Sequence, residues 1–308
     1  MVSEPAQNNR LFCFGYGYSC DYLARALRQQ GGWEIAGTTR DPDKKDAMDE
    51  SGIETFLFTG DRSLVDARQF LTGTTHLIIS TPPDDGGDPA FLHHGDDVLK
   101  ISTLRWAGYL SSTSVYGDRE GGWVDEDSEL RSNSKRGSRR EKAEAQWLSL
   151  YKDEALPVHI FRLAGIYGPG RSALDSVRAG VARRIDKPGH AFSRVHIDDI
   201  VQVLLASMEK PNPGRVYNVC DDEAAPSHKL IARACEMLEL PVPALIPYDQ
   251  ADLAPMARSF YSDNKRVRNQ RIKEELGITL KYPDFRSGLE ACLAQESSAP
   301  AAYFSAEA

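Results

Sequence analysis

The sequence predicts an α/β fold, a doubly wound parallel sheet carrying a smaller C-terminal lobe. Two patterns lead there. From residue 11 to about 167, short apolar runs bounded by turn residues alternate with segments whose apolar side chains recur at helical spacing. Short, wholly apolar strands separated by helices require right-handed crossovers and a parallel sheet covered on both faces. After residue 168 the rhythm stops, and Gly, Pro and basic residues dominate 168–190.

Taken in order, 10–16 reads as the first buried strand, and Cys20, Leu23, Ala24 and Leu27 mark one face of a helix over 19–30. Strand 33–40, helix 43–50, strand 54–60, helix 63–72 and strand 75–81 follow, then helix 89–101 and strand 107–113. A long helix covers 137–152 and a sixth strand 157–167. Ile197, Ile200, Val201, Leu204, Leu205 and Met208 mark a further helix, and 215–220 reads as a returning strand. The remainder is helical at 226–239, 264–276 and 284–294, with proline-rich connections from 241 to 255.

The 308 residues include 37 basic and 45 acidic side chains, a net charge of −8, with 41% hydrophobic residues. That balance disfavours nucleic acid and anionic membranes as general partners. No apolar run approaches the roughly 20 residues a membrane-spanning helix needs. The polar start, MVSEPAQNNR, does not read as a signal peptide. Five cysteines without a Cys-x-x-Cys pair argue against a disulfide framework or structural zinc and for a reducing, cytoplasmic setting.

Gly15-Tyr-Gly17-Tyr18-Ser-Cys20 lies where the first strand feeds the first helix. A pyrophosphate there needs a tight turn, close backbone approach and a helix N-terminus aimed at its charge. Gly15 and Gly17 supply the first two. Cys20 stands where a third Gly or Ala would let helix and strand pack closely. The second strand ends Thr38-Thr39-Arg40, where an acid would grip an adenosine 2′-hydroxyl and an arginine suits a 2′-phosphate. The expected cofactor is therefore NADP, with NAD as the alternative because Asp41 follows and can turn inward. Asp61, Thr81 and Pro82 occupy strand-end loops that can face the adenine and the nicotinamide ribose.

The fifth strand runs into Ser111-Ser112-Thr113-Ser114-Val115-Tyr116-Gly117-Asp118, the sixth into Gly165-Ile-Tyr167-Gly168-Pro169-Gly170, and Val195-His196-Ile197-Asp198-Asp199 opens the next helix. With the phosphate turn, these segments over about 11–222 resemble the NAD-dependent epimerase/dehydratase branch of the short-chain dehydrogenase/reductases. The resemblance implies a Rossmann-type NAD(P)-binding domain over 1–170, completed by about 192–222. It implies a substrate lobe at 171–191 and 223–295; the last residues, 296–308, read from their own composition as a flexible tail. It also implies a catalytic Ser, a Tyr and a Lys four residues beyond the Tyr. Ser112 matches the serine. Anchoring on Glu144 puts Arg140 at the lysine position, also a cofactor contact, and Arg136 at the tyrosine position. A two-residue shift to Ser138 and Lys142 would turn the side chains about 200° around the helix. Arginine does not shuttle protons near neutrality, although its fork of donors suits phosphate or carboxylate. The chain thus resembles the atypical group of the family.

Tyr116 and Tyr167 are alternative proton donors, with aromatic packing the favoured role for both. Glu126 reads as a solvated loop acid. Adjacent His93 and His94 make a poor metal pair, and no metal is expected. His196 reads as a structural histidine at a helix start. Arg171, Arg183, Arg184 and Arg194 can greet an anionic substrate or form solvated faces. Tyr261-x-x-x-Lys265 spells the catalytic string in the wrong place. Two functions follow: an epimerase- or reductase-like enzyme on a small polar substrate, or a non-catalytic NADP(H)-sensing regulator or scaffold. Neither the substrate nor the oligomeric state is legible.

Overall fold

The computed structural model describes residues 9–296; most of the expected tail and most of the polar N-terminal stretch lie outside them. The chain runs β1 (Asn9–Phe14), α1 (Tyr18–Gln30), β2 (Trp33–Thr39), α2 (Pro42–Glu50), β3 (Glu54–Leu57), α3 (Ala67–Leu71), β4 (His76–Ile79), α4 (Pro89–Val98) and β5 (Trp106–Ser112). A 3-10 turn at Thr113–Tyr116 and β6 (Trp123–Val124) precede α5 (Lys135–Glu154), β7 (Val158–Leu163) and β8 (Gly165–Tyr167). Next come α6 (Ala173–Arg178), β9 (Arg184–Asp186), β10 (Arg194–His196), α7 (Ile197–Glu209) and β11 (Val216–Val219). The last elements are α8 (Ser227–Met237), β12 (Leu245–Pro247), α9 (Pro255–Phe260), β13 (Arg266–Val267), α10 (Gln270–Leu276) and α11 (Phe285–Glu296).

The main sheet has seven strands in the order β11-β7-β5-β4-β1-β2-β3. Its strands are parallel, with Leu11 opposite His76 on one side of β1 and Ile35 on the other. The order reverses between β1 and β4, the place where such sheets leave a crevice beyond their C-terminal strand ends. Strand alternation sends Phe12 and Phe14 to one face, where they join Phe58, Phe70, Leu71 and Trp147 in the core. Leu11 and Cys13 face the other side, and α1 buries Cys20, Leu23, Ala24 and Leu27.

Helix starts follow local chemistry. Asp41 caps α2 by accepting from Asp43 N and Lys44 N, with Pro42 in the first turn. Asp88 caps α4 in the same way ahead of Pro89. Ser172 and Asp175 form a reciprocal capping box on α6.

Four expectations shift. The sixth strand divides, because Ala164 N donates to Val219 O and the chain then pairs β8 with β10. Residues 264–269 are not helical: β13 pairs with β6, and the helix begins only at Gln270. The segment 63–72 keeps one helical turn, since Asp66 adopts a left-handed φ of 59°. The proline-rich connection holds β12, which pairs with β9.

The chain forms two compact units. The first gathers residues through Ser111, Ser138–Phe161 and Leu204–Val216; the second gathers Ser112–Gly137, Arg162–Val203 and the chain from Tyr217 on. Each has its own core, the second built on Tyr167, Leu174, Leu230, Ala234, Phe285, Leu289 and Cys292. Among the described residues no helix is long and apolar enough to cross a membrane.

Candidate functional site

In the first unit, the turn after β1 is built against β2 and β4. Gly15 has φ +82°, and a Cβ there would lie 3.0 Å from Thr81 N and 3.1 Å from the Ser80 carbonyl carbon. Thr38 holds the turn: its hydroxyl accepts from Gly15 N at 2.8 Å and its carbonyl from Tyr16 N at 2.7 Å. Gly17 is the N-cap of α1, and no side chain caps that helix. A Cβ on Gly17 would meet nothing within 4 Å. The result is a bare helix N-terminus with an open approach, the form an anion requires. Tyr18 begins the helix, half-buried beside it. Cys20 stands in place of a small residue and is accommodated by burial, its Sγ 3.5 Å from Gly15 O.

Lys44 adds a cation at the turn, donating from Nζ to Tyr16 O at 2.7 Å. At the end of β2, Arg40 is exposed with no hydrogen-bond partner among the described residues. The Asp41 carboxylate is committed to the α2 cap. Of the two candidates for the adenosine end, Arg40 is unengaged among the described residues, while Asp41 uses its Oδ1 in the cap. Asp61 is exposed after β3, and the Thr59 hydroxyl it accepts holds its carboxyl below the ordinary range.

Thr81 donates its hydroxyl to Asp88 Oδ2 at 3.0 Å, and Pro82 beside it is exposed. Burial pushes the Asp88 carboxyl up to about 6. Arg140 on α5 donates to Tyr109 OH at 3.0 Å and to Leu110 O at 2.8 Å, so its guanidinium is held at the end of β5. One turn on, buried Glu144 accepts from the Ser111 hydroxyl. Gly15, Thr81, Asp88 and Arg140 therefore belong to one neighbourhood at the C-terminal ends of β1, β4 and β5.

In the second unit, Ser112 Oγ accepts from Ser114 N at 3.2 Å and caps the 3-10 turn. Tyr116 is fully buried. Its hydroxyl donates to Asn218 Oδ1 at 2.7 Å and accepts from Arg162 Nη1 at 2.9 Å. Burial pushes it up to about 12. Arg136 is exposed and lies over the Phe260 ring at 5.4 Å. Tyr167 is buried, edge-on to His196, with its hydroxyl 3.5 Å from Asp284 O.

Glu126 is not a solvated loop acid. Its side chain is 3% exposed and Oε1 accepts from Asn218 N at 2.8 Å, with Arg271 3.8 Å from Oε2. Burial raises its carboxyl above the ordinary range. Three of the four basic candidates are engaged within the chain: Arg183, still exposed, donates to Asp252 O, Arg184 to Pro243 O, and Arg194 to Phe192 O, Ala225 O and Ser227 Oγ. Arg171 stays exposed. His196 is buried and its Nδ1 accepts from Asp198 N at 3.2 Å, a structural role. Lys265 donates to Gly117 O and Asp263 Oδ2. His94 accepts from Leu64 N through Nε2, while His93 donates to Gly60 O; no metal-binding group occurs among the described residues.

Sequence reasoning missed Asp88, Lys44 and Asp221. Asp-Pro at 88–89 is a cap signature that was legible. Asp221 left no such signal: both carboxylate oxygens are buried without a hydrogen-bond donor, and burial pushes it up to about 8 beside Arg194.

The NAD dependent epimerase/dehydratase family model matches residues 97–220. A functionally unknown conserved protein from Silicibacter pomeroyi DSS is 52% identical, with a TM-score of 0.84 over 94% of this chain and 100% of that one. Protein YeeZ of Escherichia coli (strain K12) is 27% identical over 88% of this chain and 95% of its own length. The UDP-glucuronic acid 4-epimerase of Bacillus cereus, in complex with NAD, shares the fold at 16% identity, with a TM-score of 0.72 over 93% of this chain and 99% of that one. From the matched motifs, the parallel sheet and these likenesses, the chain belongs to the NAD-dependent epimerase/dehydratase family.

Proposed function

We propose that the chain binds a nicotinamide dinucleotide with its pyrophosphate at the N-terminus of α1, and takes NADP in preference to NAD. The observation that carries the NADP preference is the division of labour at the end of β2. Asp41 is tied into the α2 cap while Arg40 is exposed without a partner among the described residues. A free guanidinium suits a 2′-phosphate, whereas the Asp41 carboxylate is turned to the helix start, where its Oδ1 accepts from Asp43 N and Lys44 N. Fluorescence titration with NADPH and NADH tests this. NADPH is expected to bind more tightly, and Arg40→Ala to weaken it roughly ten- to hundredfold, the loss of one charge-assisted contact, while leaving NADH nearly unchanged. Failure of both dinucleotides to bind below millimolar concentration would sink the proposal.

The bound protein then acts as an epimerase- or reductase-like enzyme on a small polar substrate, anionic if Arg136 or Arg171 meets it, in a reducing, cytoplasmic setting. Ser112 is the family serine, and Arg136 and Arg140 stand where the family's Tyr and Lys stand, as in its atypical group. One observation favours a second reading, a non-catalytic NADP(H)-sensing regulator or scaffold. Arg140 is hydrogen-bonded into the end of β5, and the Tyr116 hydroxyl is enclosed by Arg162 and Asn218. None of these groups moves a proton readily near neutrality. A panel of aldehydes, ketones and nucleotide sugars, followed at the NADPH absorbance, separates the two: turnover abolished by Ser112→Ala supports the enzyme.

A further inference from the structure

The second unit holds a cavity of about 250 Å³ between the turn after β9 and the start of α8, and every residue of its wall belongs to that unit. Lys187-Pro188-Gly189-His190 builds one side. Pro and Gly at the central positions are the sequence of a type II turn. Gly189 takes φ +75°, and His190 N donates to Lys187 O at 3.0 Å, so Lys187 and His190 are fixed at the two ends. On the other side α8 opens after Pro226, and no side chain caps it; His228 and Lys229 lie in its first turn. Arg266 of β13 completes the wall. Pro188, Gly189 and Lys229 are exposed, so the cavity opens to solvent.

Three cations, Lys187, Lys229 and Arg266, stand in this wall against one carboxylate, Asp186. Lys187 gives Nζ to Tyr261 O and Arg266 gives Nη1 to Gly121 O, and each keeps further N–H donors. The Lys229 ammonium is engaged by none of the described residues. The uncapped helix start adds partial positive charge to theirs. Two imidazole nitrogens of the wall are also unanswered. His190 is 3% exposed, and its Nε2 lies 3.0 Å from Asp263 O, which only accepts. Nε2 therefore carries the proton, and Nδ1 is a bare acceptor, buried without a partner. Burial and the Lys187 ammonium push His190 down to about 4, so the ring is neutral at pH 7. His228 Nδ1 is likewise buried without a hydrogen bond, 3.9 Å from Asp186 Oδ1.

We propose that this cavity binds the phosphate monoester of a small sugar or polyol, with the phosphate at the start of α8 among Lys187, Lys229 and Arg266 and the hydroxyls against Asp186, His190 and His228. The inference goes beyond the dinucleotide reading and does not rest on it. A phosphate monoester carries about −1.5 to −2 near neutrality, which matches three cations offset by one carboxylate; a lone carboxylate ligand does not. Asp186 repels a second anionic group but accepts from a hydroxyl. Bare phosphate would also leave the buried His190 acceptor unpaired, a cost that a hydroxylated ligand relieves. Size selects in the same direction. Pockets for drug-sized ligands span about 300–1,000 Å³, so this cavity holds one ring with its phosphate and excludes a nucleotide sugar.

Titration calorimetry of the whole protein, with no dinucleotide added, tests this with ribose 5-phosphate, glucose 6-phosphate, inorganic phosphate, gluconate and UDP-glucose. At least one phosphate ester is expected to bind below millimolar concentration, roughly tenfold or more tighter than inorganic phosphate or gluconate. Lys229→Ala should weaken that ester about tenfold, the loss of one charge-assisted contact, without moving the melt of the free protein. Asp186→Ala should narrow the gap between ester and inorganic phosphate, because it removes a hydroxyl acceptor and spares the cations. No ester binding at millimolar concentration overturns the proposal. Inorganic phosphate or gluconate binding as tightly as the esters overturns the ligand class, as does UDP-glucose binding more tightly than either ester. An ester affinity that Lys229→Ala leaves unchanged overturns the cavity as the site. Each outcome is read without NADPH, so failure here and failure of the dinucleotide reading are separate results.

Discussion

At Gly15 and Gly17, two residues apart, the same substitution has opposite consequences. Gly15→Ala forces a left-handed φ on alanine and presses a Cβ to 3.0 Å from Thr81 N. It is expected to cost about 1–3 kcal/mol of stability, read by urea denaturation. Gly17→Ala meets no neighbour within 4 Å, and its φ of −109° suits alanine. The Gly17 variant should hold its unfolding midpoint while losing at least tenfold in dinucleotide affinity, because the methyl stands where the phosphate must approach. Both glycines were legible from spacing alone, since the demand on them is local. Glu126 was not. Its burial depends on Asn218, 92 residues away, and on Arg271, so a polar loop around it read as solvated. Tyr116 has the same dependence. Tyr116→Phe removes its bonds to Asn218 and Arg162, and should cost about 1–3 kcal/mol without shifting NADPH affinity.

At the scale of elements, α5 is fixed to the sheet along one face. Arg140, Ala143, Glu144 and Trp147 form one stripe toward the sheet, with Ala143 and Trp147 in the core. Glu144 takes the Ser111 hydroxyl, and Arg140 takes Tyr109 and Leu110, so two polar clamps fix the helix to β5. Glu144→Ala leaves the Ser111 hydroxyl buried without an acceptor. A loss of about 1–3 kcal/mol is expected, largely recovered in Glu144→Gln, as a thermal melt of both variants would show. The strands of the main sheet were legible because each is a dense apolar run. The short strands were not: β13 is Arg266–Val267, whose two residues inside a basic run make sense only once Trp123–Val124 lies alongside. Likewise β8 reads as the tail of β7 until β10 offers it a separate partner.

For the whole molecule, composition bounded the class but hid how differently the two units carry protons. In the first, burial pushes His76 and His159 down to about 4 and lowers His94 as well. These rings are neutral in the fold and free to protonate when unfolded. Between pH 6.5 and about 4 the unfolded state binds more protons, and stability is lost as pH falls through that window. Asp88, raised to about 6, opposes them with one proton. In the second unit, His190 and His196 at about 4 are countered by Asp221 at about 8 and by the raised carboxyls of Glu126 and Asp199. The first unit should therefore lose about one kcal/mol or more per pH unit below 6.5. Hydrogen exchange at pH 7 and pH 5 checks this: amides of β1, β4 and β5 should lose more protection than those of β8 and β10. The division of the chain also bears on its making. Three stretches compose the first unit, and the last ends at Val216. A ribosome adding about 5–20 residues per second therefore needs tens of seconds before that unit is complete. For about 3–10 seconds of it, between the end of β5 at Ser112 and the end of β7 at Leu163, β5 has been made and its neighbour has not, an unpaired strand edge that holdase chaperones would meet on every nascent copy.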